Sequence, residues 1–309
     1  MKSSAAFATI VLIWSTTPLG IAWSNQTIHP AAAVLLRMAV AAMLGWVLLK
    51  LWRIPLRWDK PALRTYAYST LGIFGAMSCT YFGAQYIPSG WISILFALAP
   101  VTSNLFAARL LGQGDFDTWR WIAFLLSFLG LVVICMDDLV LQEEGWKGVV
   151  LLLAAVTLYG LSGVLVQKQT FVAHPLSITV GSLIASIPMF TLSWMVLDGQ
   201  WPQLDWSSRS PWAVLYLAIF GSLLGFACYF FVVKDRGATA VTMVTLMTPV
   251  IALYLGHLLN GEVITMHVIT GSALVLLGLV FYYRLGWSLL QRKRFSAGPS
   301  ERERALSPK

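Results

Sequence analysis

Few side chains in this chain could do chemistry, and the patterns that would organise them for catalysis are missing. The sequence has no HExxH, no GxxxxGK[ST] loop, no CxxC and no Ser-His-Asp order, so metalloprotease, nucleotide-driven, thiol-redox and triad chemistry all lack their residues. His29, His174, His257 and His267 are scattered at loops or helix ends. Cys79, Cys135 and Cys228 sit in apolar runs without paired spacing, which suits small packing residues better than a disulfide framework or a zinc site. No metal, no cofactor and no enzymatic activity are expected. Two charged residues stand out. Arg37 lies inside an apolar stretch, where a charge costs several kcal/mol unless it is paired or hydrated. It either snorkels or bonds carbonyls in a structural or gating role, or it touches a ligand directly. Glu262 follows Gly261 and either caps the helix that comes next, where the helix dipole favours an anion, or takes part in proton coupling. Asp115 is its weaker counterpart. No Asp or Glu falls in the middle of an apolar stretch, so a site for metal cations is not expected. Hydroxyls, amides and aromatic rings are the chemistry left.

These residues are carried by elements that lipid must surround. Of 309 residues, 58% are hydrophobic and 11% charged, against about 25% charged in soluble domains. The apolar runs are continuous and about 20 residues long, the length of a membrane-crossing helix. Helices and closed barrels are the only structures that satisfy the backbone in lipid, and runs without alternation select helices. An all-α membrane protein of ten transmembrane helices is predicted: 5–24, 31–52, 66–86, 89–111, 119–136, 148–167, 175–197, 211–233, 238–259 and 264–287. The polar, charged tail 291–309 is expected to be a disordered cytoplasmic segment. Lys2, the first apolar run and Ala22 and Ser24 loosely imitate a secretory signal, but removing that run would unbalance two halves of the chain that resemble each other.

Net charge is +8, yet the basic residues sit at helix ends rather than in a nucleic-acid-binding patch. With the N-terminus inside, Lys147 and Arg209 alone fall in outer loops, while all other Lys and Arg except Arg37 fall on the cytoplasmic side. That asymmetry places both termini in the cytoplasm of a bacterial inner membrane.

The chain repeats itself. His29-Pro30 answers His174-Pro175, and Trp14 falls on Tyr159 at the same offset; Tyr81-Phe82 answers Tyr229-Phe230; Ala99-Pro100-Val101 answers Thr248-Pro249-Val250; Leu129-Gly130-Leu131-Val132 answers Leu277-Gly278-Leu279-Val280. Repeats 1–137 and 138–290 thus hold five spans each. An odd number inverts the second copy in the membrane, an architecture suited to two states open to opposite faces.

The stretch from Pro249 through Gly261-Glu262, followed by Gly271 and Gly278, together with Trp14-Ser15 and Arg37, resembles the EamA family of the drug/metabolite transporter superfamily, over the chain to about residue 287. Gln113 stands where the first half would carry the counterpart of Glu262, and Ala123 where it would carry that of Gly271. The resemblance implies a secondary transporter, usually an exporter of amino acids or related metabolites, with a cavity lined by spans one, three, four, six, eight and nine. Substrate-binding candidates on those spans are Trp14, Ser15 and Thr17; Tyr81 and Gln85; Trp91, Ser93 and Phe96; Tyr159 and Ser162; Tyr229; and Thr242 and Thr245, with Arg37 from span two. Such a pocket suits a small neutral or zwitterionic molecule. Each aromatic has a competing role as a packing residue. A receptor or regulatory protein of the same fold without net transport is the alternative function. Pro100 and Pro249, in equivalent places, are hinge or gating candidates with Glu262. Gly72, Gly75, Gly221 and Gly225 allow close helix contact, within the chain or at a homodimer seam.

Overall fold

The computed structural model describes residues 3–112, 118–141, 144–169, 173–237, 241, 244–278 and 280–281. Helices dominate them: α1 Ser3–Ser24, α2 Pro30–Leu51, α3 60–83, α4 Ser89–Leu111, α5 Thr118–Leu141, α6 Gly145–Gln167, α7 Pro175–Leu197, α8 Ser210–Arg236, α9 Val244–Asn260 and α10 Met266–Gly278. Of these, α1, α2, α4, α6, α7 and α8 are long and apolar enough to cross a bilayer. The chain is an all-α, multi-pass membrane protein. The tail 291–309 lies outside the described residues.

Solvent preference is reversed relative to a soluble protein. Large apolar side chains such as Leu12, Leu51, Leu192 and Val196 face outward, while Ser15, Arg37, Thr80, Ser93 and Ser182 are buried. Lipid is the outer solvent, so polar atoms gain by facing protein. Many buried hydroxyls are satisfied within their own helix, as where Ser15 donates to the Val11 carbonyl at 2.7 Å and Thr80 to that of Ala76 at 2.7 Å.

The repeated His-Pro pairs start equivalent helices. His29 Nδ1 accepts from the Ala31 amide and His174 Nδ1 from the Leu176 amide, each before a proline at the first helical position. Proline loses nothing there because its missing N–H would have been an orphan, and the imidazole satisfies one of the others.

Helix contacts come in reciprocal sets. Helix α2 packs on α7; α1 packs on α9 and α8, as α6 packs on α4 and α3. Helices α5 and α10 meet through glycines: a Cβ at Gly130 would lie 2.6 Å from the Gly271 carbonyl oxygen, and one at Gly271 would lie 2.5 Å from that of Gly130. Backbone cannot yield there as a flexible side chain can. Gly130→Val should therefore lower stability by about 1–3 kcal/mol, read as a reduced thermal midpoint of the detergent-solubilised protein. An unchanged midpoint would show that α5 and α10 are not held this closely.

Among the described residues, two segments are wound more widely than an α-helix. Leu71–Ala76 in α3 and Leu217–Leu224 in α8 are π-helical, and they overlap when aligned by the offset that pairs Tyr81 with Tyr229. The four glycines of the close-contact pattern lie in or beside them. All four make close contacts inside the chain, Gly72 against Ser162, Gly75 against Leu158, Gly221 against Arg37 and Gly225 beside Trp14.

The two repeat-related prolines behave differently. Pro100 offers no N–H to the Phe96 carbonyl, and α4 is interrupted between Phe96 and Ala99. Pro249 sits within a continuous α9.

Candidate functional site

A cavity of ≈ 70 Å³ lies where the two halves meet. Its wall includes Trp14 and Thr17 of α1, Arg37 of α2, Thr80 of α3, Ser93 and Phe96 of α4, Tyr159 of α6, Gly221 and Phe226 of α8, and Thr248 of α9. That is more than one water needs (about 10–15 Å³), and it leaves room for a small body only.

An aromatic cluster forms one side. The Trp14 ring centroid lies 6.0 Å from that of Tyr159 and 5.9 Å from that of Tyr229; Tyr159 is 5.6 Å from Tyr229 and 5.9 Å from Phe96. Trp14 and Tyr159, which the repeat superimposes in sequence, are therefore neighbours in space, edge to face across the junction of the halves.

Arg37 forms the opposite chemistry. It is 1% exposed and roughly 10 Å along α2 from its first residue, so it does not snorkel. Its Nε donates to Ser222 Oγ at 2.8 Å and its Nη1 to the Tyr81 hydroxyl at 3.4 Å, with the guanidinium carbon 5.8 Å from the Tyr81 ring centre. No described carboxylate forms an ion pair with it. Gly221 makes its room, since a Cβ there would lie 2.9 Å from Nη2.

A second space, a crevice of ≈ 500 Å³, opens at the end of the bundle that holds the α1–α2, α3–α4 and α9–α10 turns. Glu262 lies on its wall. The left-handed Gly261, at φ +67°, turns the chain so that Glu262 reaches back to α4. Its two carboxylate oxygens accept from the Ser89 amide at 3.0 Å and the Gly90 amide at 3.1 Å, and Asn260 Nδ2 donates to it at 2.9 Å. Asn260 Oδ1 in turn accepts from Trp23 Nε1 at 3.1 Å. Crevice and cavity are separated by adjacent residues: Ala22 and Trp91 face the crevice, Ile21 and Ile92 the cavity.

Of the residues expected to line one pocket, Trp14, Thr17, Arg37, Ser93, Phe96 and Tyr159 do so. Gln85 and Trp91 face the crevice instead, because α4 begins at Ser89 and its first turn lies at the mouth. Ser15 faces away, satisfied by Val11, and Ser162 donates to the Tyr68 carbonyl at 2.9 Å between α6 and α3. Tyr81 stands behind Arg37, and Tyr229 behind the Trp14–Tyr159 pair. Thr242 and the side chain of Thr245 lie outside the described residues, as do Gln113 and Asp115. Glu262 caps α4, from the other half, rather than α10. Thr80, Phe226 and Thr248 join the wall without a signal of their own in the sequence; Thr248 stands out there only as the neighbour of Pro249.

The profile of a family described as EamA-like transporters matches the chain twice, over residues 2–136 and 146–284. An uncharacterised transporter of Archaeoglobus fulgidus is 25% identical over 92% of this chain and 99% of its own length. The Bacillus subtilis uncharacterised transporter YoaV is 21% identical over 90% and 96%, and the Salmonella typhimurium protein PagO is 25% identical over 85% and 87%. One crystal structure superposes with a TM-score of 0.68 at 18% identity, covering 92% of this chain and 98% of the other, a likeness of fold.

Proposed function

The chain belongs to the EamA-like transporter family, and from that membership we propose that it is a bacterial inner-membrane secondary transporter exporting a small neutral or zwitterionic metabolite, an amino acid or related compound, by alternating access. In this reading ten helices cross the membrane as two inverted five-helix halves with both termini cytoplasmic, and the crevice beside Glu262 opens to the outside. The observation that carries it is the cavity itself, which takes residues from both halves and brings the repeat counterparts Trp14 and Tyr159 together. The double profile match and the reciprocal helix contacts support the inverted repeat. A site at the junction of two such halves can be exposed to either face by rocking one against the other.

The test is flux of labelled amino acids and related metabolites in inside-out vesicles containing the protein. Accumulation above protein-free vesicles is expected. Specific binding with no flux for any compound would replace a transporter with a receptor. Side-chain placement sharpens the test: Trp14→Ala should reduce flux at least tenfold, since it removes the ring shared with Tyr159 and Tyr229, whereas Ser15→Ala should leave it within twofold. Equal loss in both would mean that the cavity between the halves is not the transport site.

A further inference from the structure

Resting on the transporter reading of this cavity, but replacing its neutral or zwitterionic substrate class by one defined by a carboxylate, we infer that its ligand is a small organic monocarboxylate docked on Arg37, with or without an amino group elsewhere. The guanidinium carries five N–H donors. Two are engaged by the neutral oxygens of Ser222 and Tyr81, which satisfy hydrogen bonds but leave the charge uncompensated. A buried cation without an anion is costly, and Arg37 is both buried and part of the cavity wall. The three remaining N–H groups form a planar fork suited to a carboxylate, and a bound carboxylate would supply the missing charge.

The rest of the cavity restricts the body attached to that head group. No Asp or Glu belongs to its wall among the described residues, so a cation alone has no counter-charge and meets the repulsion of Arg37. A phosphate monoester would bring close to two negative charges to a single positive one. The remaining surface consists of rings and aliphatic groups with the hydroxyls of Thr17, Thr80, Ser93 and Thr248, which suits a compact apolar body. The faces of Trp14 and Tyr159 can accept an ammonium group by cation–π contact, so zwitterions are admitted without being required. The small volume favours a compact body.

The experiment measures thermal stabilisation of the purified full-length protein in detergent by isobutyrate, isobutylamine, isobutyl alcohol and valine. These share a branched apolar body and differ in charge; buffers are free of carboxylate and ionic strength is matched with sodium chloride. Isobutyrate and valine are expected to raise the midpoint in a saturable manner, and the amine and alcohol are not. Arg37→Gln should weaken the isobutyrate response at least tenfold, and Arg37→Lys should retain part of it. If Arg37→Gln fails to fold, Gly221→Ala provides the second variant: its added methyl must displace Nη2 and should weaken isobutyrate without creating a response to the amine. Equal stabilisation by the alcohol or the amine, no stabilisation by any carboxylate, or an isobutyrate response indifferent to Arg37→Gln would each overturn the inference. So would chloride titration giving the same Arg37-dependent response. Vesicle flux separates this inference from the one beneath it. Carboxylate binding without flux defeats the transporter and leaves the site standing, while flux of the amine but not of isobutyrate defeats the site and leaves the transporter.

Discussion

Glu262→Gln is expected to loosen the closed end of the bundle and to cut transport against a gradient at least tenfold. The carboxylate offers one oxygen to Ser89 N–H and the other to Gly90 N–H, so the turn between α9 and α10 is tied to the first turn of α4. Through Asn260 the same knot reaches Trp23 at the end of α1. These helix ends bound the thin partition of Ile21, Ala22, Trp91 and Ile92 between crevice and cavity. Glutamine keeps the shape but has one acceptor and no charge, so one amide loses its partner and the other a charge-assisted bond. Hydrogen bonds to charged groups are worth about 1.5–3 kcal/mol, and each 1.4 kcal/mol is about tenfold in an equilibrium. The population with this end open should rise roughly 10- to 100-fold. Hydrogen exchange read by mass spectrometry should therefore quicken in the peptide containing Ser89 and Gly90, with no change in α2. Unaltered exchange at Ser89 and Gly90 would show that Glu262 does not hold this end shut.

At the repeated His-Pro pairs the structure agrees with the sequence reading. The starts of α2 and α7 coincide with the His-Pro pairs because proline and an imidazole acceptor together fix a helix N-terminus locally. Trp14 and Tyr159, aligned in sequence and both read as cavity residues, lie side by side in the cavity wall. Facing is harder to read. In a helix with lipid on one side and protein on the other, apolar residues occur all round, and a serine that bonds its own preceding turn is equally content on either side. Hence Ser15 and Ser162 read as cavity residues and are found elsewhere, while Thr80 and Thr248 line the cavity without announcing it. Glu262 reads, from its neighbours in sequence, as a cap for α10. Its partners are 173 and 172 residues away, and local spacing holds no trace of them. The π segments of α3 and α8 leave a partial sign in their glycines, but a contact motif and a widened turn use the same residue type.

The π segment of α8 leads to the second large effect: Gly221→Leu is expected to abolish ligand binding while the protein still folds. A Cβ at 221 would fall 2.9 Å from Arg37 Nη2, closer than such contacts tolerate, and three further carbons would project toward a cavity of only ≈ 70 Å³. Moving the guanidinium aside would strain its 2.8 Å bond to Ser222, one residue further along the same π turn. Widening the helix at Leu217–Leu224 therefore serves two contacts at once: Gly221 leaves space for the charge, and Ser222 holds it. The matching segment in α3 gives the control. Gly75→Ala places its methyl 3.0 Å from a terminal carbon of Leu158, a flexible side chain that can move without disturbing Arg37. Overpacking by the larger side chain costs about 1–3 kcal/mol, so Gly221→Leu should lose some thermal midpoint and Gly75→Ala less. Flux and isobutyrate-dependent stabilisation should fall at least tenfold in Gly221→Leu and less than threefold in Gly75→Ala. Retained binding in Gly221→Leu would mean that neither this turn nor the Arg37 beside it borders the ligand, and parallel losses in the two variants would reduce the π segments to a packing device.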